Sequence, residues 1–327
     1  MRRWRGAPMD MDTAATCNHP GDMASALPSI DYLSHPAYGG MFTPDPVAGA
    51  EALKALEPLI QEMAEAESVR VGRFNYDYGA VNRQGEELIE QGVTQVRLPD
   101  ELMDPVHAAA LPVIQSVQAR IAEARETGKP IRFKTVEQIL SQHDHAALWS
   151  AVDRFLSELG IYDTVTAFFR AKSARINALA LFVNPANQQW ATRLFRDVKI
   201  EAPATAGFHI DSNGKCYIKG ILHLSDVGPE QGPTGVVVGS HVWGQGSRDR
   251  VIRRAFISLP KELQVKAEFG GDMDPAQPEA ALLLDNELRA VGPRGLLTLF
   301  DPDAVHRGGN VRAGERHALQ LVLTAQY

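Results

Sequence analysis

Tyr217-Ile218-Lys219-Gly220-Ile221-Leu222-His223-Leu224-Ser225-Asp226-Val227, followed by Gly232-Pro233-Thr234-Gly235-Val236-Val237-Val238-Gly239-Ser240-His241, reads as two short apolar strands separated by turn residues. The same texture recurs at Ala178 to Val183, Gly295 to Phe300 and Ala318 to Ala325, with Asn184-Pro185, Gly228-Pro229 and Gly292-Pro293 between the runs. Runs of this kind suit a sandwich or barrel in which several strands are covered on both faces. The segment 246–291 is charged and irregular, with a short helix expected near Lys261 to Lys266.

The first half has a different period. Leu53, Leu56, Leu59, Ile60 and Met63 recur at helical spacing, as do Val106, Leu111, Ile114, Val117 and Ile121 within Pro105 to Ala124. Ala146 to Leu159 and Thr164 to Ala171 are expected to add two more helices. Residues 1–47 show no sustained periodicity and read as a flexible tail and loop. The division expected is therefore a tail over 1–47, a helical part over 48–175 and a β-rich core over 176–327 with an insertion at 246–291.

Bulk properties narrow the class. With 327 residues, 44% hydrophobic and 22% charged, the chain has the composition of a globular protein. A net charge of −7 supplies no basic face for phosphates, so no nucleic-acid partner is expected. No apolar run approaches the roughly 20 residues that span a bilayer, and the basic start Met1 to Arg5 is not followed by the apolar core of a secretory signal. Two cysteines, Cys17 and Cys216, do not make a disulfide framework. The expected setting is the cytoplasm, without membrane insertion. Oligomeric state is left open.

His209-Ile-Asp211 carries the candidate chemistry. On a strand, residues i and i+2 point to one face, so both side chains can reach a single metal. His306, after the apolar run Leu296 to Phe300 and before Gly308-Gly309, is the candidate third ligand. Two imidazoles and one carboxylate leave open positions on non-haem Fe(II) for a co-substrate and O2. Mn or Zn in an isomerase-like role is the alternative for the same donors.

The Leu222 to Val227 and Gly232 to His241 blocks, with Gly295 to Asp301 running into His306, resemble the phytanoyl-CoA dioxygenase family of Fe(II)/2-oxoglutarate oxygenases over about residues 176–327. The resemblance implies an α+β protein with a mainly β core: a double-stranded β-helix, the jelly-roll or cupin-like barrel, buttressed by N-terminal helices. It implies iron held by His209, Asp211 and His306, and O2 and 2-oxoglutarate as co-substrates. It also implies an arginine on the last strand that grips the far carboxylate of 2-oxoglutarate. Arg316, ten residues past His306, fits that place, with Arg312 as runner-up. A planar guanidinium fork is the suitable group, because it donates two parallel hydrogen bonds to a carboxylate.

The implied activity is hydroxylation of an unactivated C–H in a small molecule, with release of succinate and CO2. Halogenating relatives have a small residue where Asp211 stands, so Asp211 points to a halide-free oxidant. Desaturation, epimerisation or cyclisation at the same centre is the alternative, and a non-catalytic barrel that binds a ligand is the reading from another class.

Strand alternation after Asp211 puts Tyr217, Lys219, Ile221 and His223 on one face. Lys219 is a candidate for the 2-oxoglutarate carboxylate or for substrate, and Tyr217 for a hydrogen bond to either. His223, His241 and His317 read as packed or surface histidines. Trp190 and Arg193, in a segment rich in amide and cationic groups, are candidates for a polar or anionic substrate, with Trp190 as an apolar wall.

Overall fold

The computed structural model describes residues 82–131, 133–169, 171–186, 217–242, 286–302, 304–309 and 311–326. The expected helix near Leu53 to Met63 and the one near Lys261 to Lys266 lie outside these residues, as do His209, Asp211, Trp190, Arg193 and both cysteines.

The described chain starts with α1 (Arg83–Gln91), capped by Asn82, whose Oδ1 accepts the Gly85 N–H at 2.9 Å. Gly92 ends the helix at φ 74°, donating its N–H to Leu88 O at 3.0 Å. A Cβ there would meet the His241 ring at 2.5 Å, so conformation and space both favour glycine. β1 (Val93–Arg97) follows, then α2 (Asp100–Glu126). Its buried stripe is Leu102, Met103, Val106, Ala110, Val113, Ile114, Val117, Ile121 and Ala124. Pro105 and Pro112 lie inside this helix rather than before it. Both sit on its exposed side, as do Glu101 and Ala108, whose carbonyls lose their helical donors to the prolines and are left to water.

α3 (Phe133–Val136), β2 (Glu137–Ile139), α4 (Ala146–Glu158) and α5 (Ile161–Phe169) lead into β3 (Ser173–Pro185). The remaining strands are β4 (Tyr217–His223), β5 (Gly235–Val237), β6 (Glu287–Arg289), β7 (Leu296–Phe300), β8 (His306–Arg307) and β9 (Glu315–Gln326). They form a six-stranded sheet in the order β1-β7-β4-β9-β3-β2 and a three-stranded sheet in the order β6-β5-β8, with antiparallel pairing throughout.

The two faces of the large sheet do different work. Leu179, Leu181, Val183, Ile218, Leu222, Leu297, Leu299, Leu319, Leu321 and Leu323 point outward into one core with the buried faces of α2, α4 and α5. Gly220 makes room for these leucines: a Cβ there would meet Leu321 Cδ1 at 2.9 Å and Leu299 Cδ2 at 3.1 Å. On the opposite face Val93, Ile221 and Phe300 pack against Val236, Val238 and Leu288 of the smaller sheet and its borders. The sheets therefore stack face to face, as in a double-stranded β-helix, and the space between them holds the inward residues of every strand.

Three features depart from the sequence reading. The helical first part also supplies β1 and β2, the two edge strands of the large sheet, so helices and β core share one sheet. Asn184 and Pro185 belong to the end of β3 rather than to a turn, because both pair with β9. The charged segment 246–291 contributes β6, which pairs with β5. No helix among the described residues is long and apolar enough to cross a membrane.

Candidate active site

β9 alternates Leu319, Leu321 and Leu323 outward, so Arg316, Ala318, Gln320, Val322 and Thr324 face the space between the sheets. On β4 the inward set is Tyr217, Lys219, Ile221 and His223, opposite Thr324, Val322, Gln320 and Ala318 respectively. The two central strands thus bring Arg316, His223, Lys219 and Tyr217 to one face of one sheet.

Arg316 is 8% exposed. Its Nη2 and Nε donate to Asn184 Oδ1 at 3.0 and 3.3 Å, and its Nη1 donates to the Gly232 carbonyl. These acceptors are neutral, and no carboxylate among the described residues pairs with the guanidinium. Burial lowers its pKa to about 10, which leaves it charged at neutral pH. Three of its five N–H groups meet acceptors among the described residues, and one on each terminal nitrogen has no acceptor among them. A buried cation held by neutral oxygens favours an anion beside it.

His306 lies on β8 in the smaller sheet, 3% exposed, with its Cα opposite Val236. Its ring tilts against Phe300 with centroids 4.8 Å apart, and its Nδ1 is 2.8 Å from Ala304 O. A carbonyl only accepts, so Nδ1 carries the proton, and in the neutral ring Nε2 holds the lone pair. That tautomer leaves Nε2 as the nitrogen able to bind a metal. The Gly-Ser-His turn explains the placement. Ser240 Oγ donates to Val237 O at 2.6 Å and accepts the Val305 N–H at 2.8 Å, tying the residue before His306 to the end of β5. His241 Nε2 reaches Ile89 O at 2.9 Å, a packing role.

The structure places the other sequence candidates as follows. Lys219 and Tyr217 face the interior, with Lys219 opposite Phe300 and Val322. Arg312 is exposed, and its backbone N–H donates to Glu230 O. His317 faces outward, its Nε2 3.2 Å from Glu315 Oε2. His223 is fully buried beside Arg316, and its pKa is pushed down to about 4 by desolvation and then by the Arg316 charge. Asn184, the Gly232 carbonyl and the nearness of His223 to Arg316 are the elements that sequence reasoning missed. The alternation of β4 gave the face of His223, but its place beside Arg316 depends on the β4–β9 register. The Asn184–Arg316 pairing depends on a register that joins residues 132 positions apart. No cluster of three metal-binding side chains occurs among the described residues, and His209 and Asp211 are not among them.

No protein-family model matches the chain, and no curated protein matches it in sequence. Solved structures similar to it include EctD from S. alaskensis, seen without ligand and with 2-oxoglutarate and 5-hydroxyectoine. Both are 14% identical over 77% of this chain, at TM-score 0.47, with 80% and 79% of those chains covered. The non-heme alpha ketoglutarate dependent carbocyclase SnoK from nogalamycin biosynthesis is 13% identical over 77% of this chain and 87% of its own, at TM-score 0.42. The epimerase SnoN from the same biosynthesis is 15% identical over 76% and 84%, at TM-score 0.41. Values this low transfer no chemistry to this chain.

Proposed function

We propose that the chain is an Fe(II)- and 2-oxoglutarate-dependent oxygenase that hydroxylates an unactivated C–H of a small, polar or anionic metabolite and releases succinate and CO2. One observation carries the reading. Arg316 is a buried guanidinium between two sheets, held by neutral oxygens, with one N–H on each terminal nitrogen that meets no acceptor among the described residues. Such a group recognises a carboxylate. His306, inward from the opposite sheet with its Nδ1 proton fixed by Ala304, supplies an imidazole of the right tautomer for a metal.

The donor set read from the sequence supports iron, with His306 the one member among the described residues. His306 would hold iron together with His209 and Asp211, two imidazoles and a carboxylate, a donor set that suits Fe(II) and leaves positions open. When bound, iron and 2-oxoglutarate let O2 be used to oxidise a C–H while the 2-oxo acid loses CO2. The chain's own residues do the rest. Arg316 fixes the distal carboxylate of 2-oxoglutarate. Asn184 and Gly232 hold the guanidinium in place. Ile221, Phe300, Val93 and Val236 exclude water from the space between the sheets. Lys219 and Tyr217 face the same space farther along β4 from Arg316, opposite Val322 and Thr324, and are kept as candidates for polar contact with co-substrate or substrate, while Trp190 and Arg193 stand as substrate candidates. A cytoplasmic setting accords with the two-cysteine content.

Anaerobic addition of Fe(II) and then 2-oxoglutarate tests the reading. A weak visible charge-transfer band is expected in the wild type and lost in Asp211→Ala. Iron uptake without the band, and without any 2-oxoglutarate binding, would overturn it.

A further inference from the structure

His223 sits on β4 with its Cα opposite Ala318, so Arg316, two residues earlier on β9, is its diagonal neighbour on the same inward face. The small Ala318 leaves room across the ladder for an imidazole. His223 has no exposed surface, and neither ring nitrogen has a hydrogen-bond partner among the described residues. The Gly292 carbonyl is near enough to favour its protonation weakly, without forming a bond of proper geometry. An imidazole always presents an N–H donor, and leaving it buried without a full partner costs about 1–3 kcal/mol. A leucine would fill the same space without that cost.

The surroundings say what the ring is for. The Arg316 charge opposes a second charge on His223, so the pair carries one positive charge and faces the interior with N–H groups on both residues. Nothing anionic among the described residues meets them. A carboxylate has two oxygens and about four lone-pair sites, enough for the guanidinium and the imidazole together.

We propose that His223 is a second carboxylate-binding residue, which donates a ring N–H to the distal carboxylate of the 2-oxo acid gripped by Arg316. The proposal rests on the reading of the chain as a 2-oxoglutarate-dependent oxygenase. His223 makes the pocket specific for a dicarboxylate by offering a donor that only the distal carboxylate can use.

The test is calorimetric binding of 2-oxoglutarate and of 2-oxopentanoate, which lacks the distal carboxylate, to the full-length Mn(II)-loaded protein. His223→Ala is expected to weaken 2-oxoglutarate roughly ten- to a hundredfold, the worth of a hydrogen bond to a charged group, and to leave 2-oxopentanoate unchanged. His223→Asn, which keeps an N–H donor and provides a second variant should the alanine fail to fold, is expected to recover part of the loss. If His223→Ala weakens both acids equally or neither, while Arg316→Ala selectively loses 2-oxoglutarate, the inference is overturned and the oxygenase reading stands. If the wild type binds no 2-oxoglutarate, that reading falls and the inference with it.

Discussion

Asn184 and Arg316 face each other across the β3–β9 ladder, and the single Oδ1 of Asn184 accepts from both Nη2 and Nε of the guanidinium. The amide orients the cation without neutralising it. Asn184→Asp is nearly isosteric and places a carboxylate in the same position, so Arg316 would form an internal ion pair. Its charge would then be spent within the protein. The expected outcome is a fall in 2-oxoglutarate affinity of about tenfold or more, with a melting temperature equal to or above that of the wild type. Calorimetry and thermal unfolding of the same sample check both. An affinity left at the wild-type value would mean that the carboxylate binds elsewhere.

The second acceptor on Arg316 is the Gly232 carbonyl, and Gly309 packs against it. A Cβ at Gly309 would lie 2.5 Å from both Gly232 O and Pro233 O, atoms of backbone that cannot swing aside as a side chain can. Gly309→Ala is therefore expected to push the 232–233 segment away from Arg316, costing about 1–3 kcal/mol of stability as overpacking and raising the KM for 2-oxoglutarate. Urea unfolding and steady-state kinetics together measure this. A variant with wild-type stability would show that the two segments can separate freely.

Local patterns made much of this legible. Short apolar runs between turn residues marked β3, β4, β5, β7 and β9, and helical spacing marked α2 and α4; all of these but β5 bury a face in the common core, while Val236 of β5 packs in the cluster between the sheets. β1 and β2 were hidden because they are edge strands of five and three residues with polar or charged members. Their strand character comes from pairing with β7 and β3, not from their own side chains. The site divides the same way. His306 and Arg316 could be placed by motif and spacing, whereas Asn184 and Gly232 act on Arg316 through register and a backbone carbonyl, and neither leaves a mark on a one-dimensional pattern.

His223 makes a pH prediction with a definite sign. Its folded pKa, about 4, lies below the ordinary histidine value of 6.5. Desolvation is the main cause, the Arg316 charge from β9 adds to it, and the Gly292 carbonyl works weakly the other way. Between the two pKa values the unfolded chain binds the proton and the folded chain does not. The stability from a neutral His223 is therefore complete above about pH 6.5 and lost as pH falls towards 4, by roughly 3 kcal/mol. Urea unfolding at pH 7, 5.5 and 4 is expected to show this decline in the wild type and a shallower one in His223→Gln. Parallel declines would place the acid sensitivity in other groups.

Ser240 links the turn after β5 to the residue before His306, with its hydroxyl both donating to Val237 O and accepting from Val305 N. Ser240→Ala leaves the buried Val305 N–H without that partner, at a cost of about 1–3 kcal/mol. The alanine also frees the backbone that aims His306 at the interior. Fe(II) affinity is expected to fall about tenfold, at the low end of what outer-shell changes do to metal sites, while His306→Ala falls further. Anaerobic metal titration with a chelator as competitor reads this directly. A Ser240→Ala protein that is less stable but binds iron as the wild type does would confine the serine to holding the fold, and would leave the Ala304 carbonyl alone to orient the imidazole.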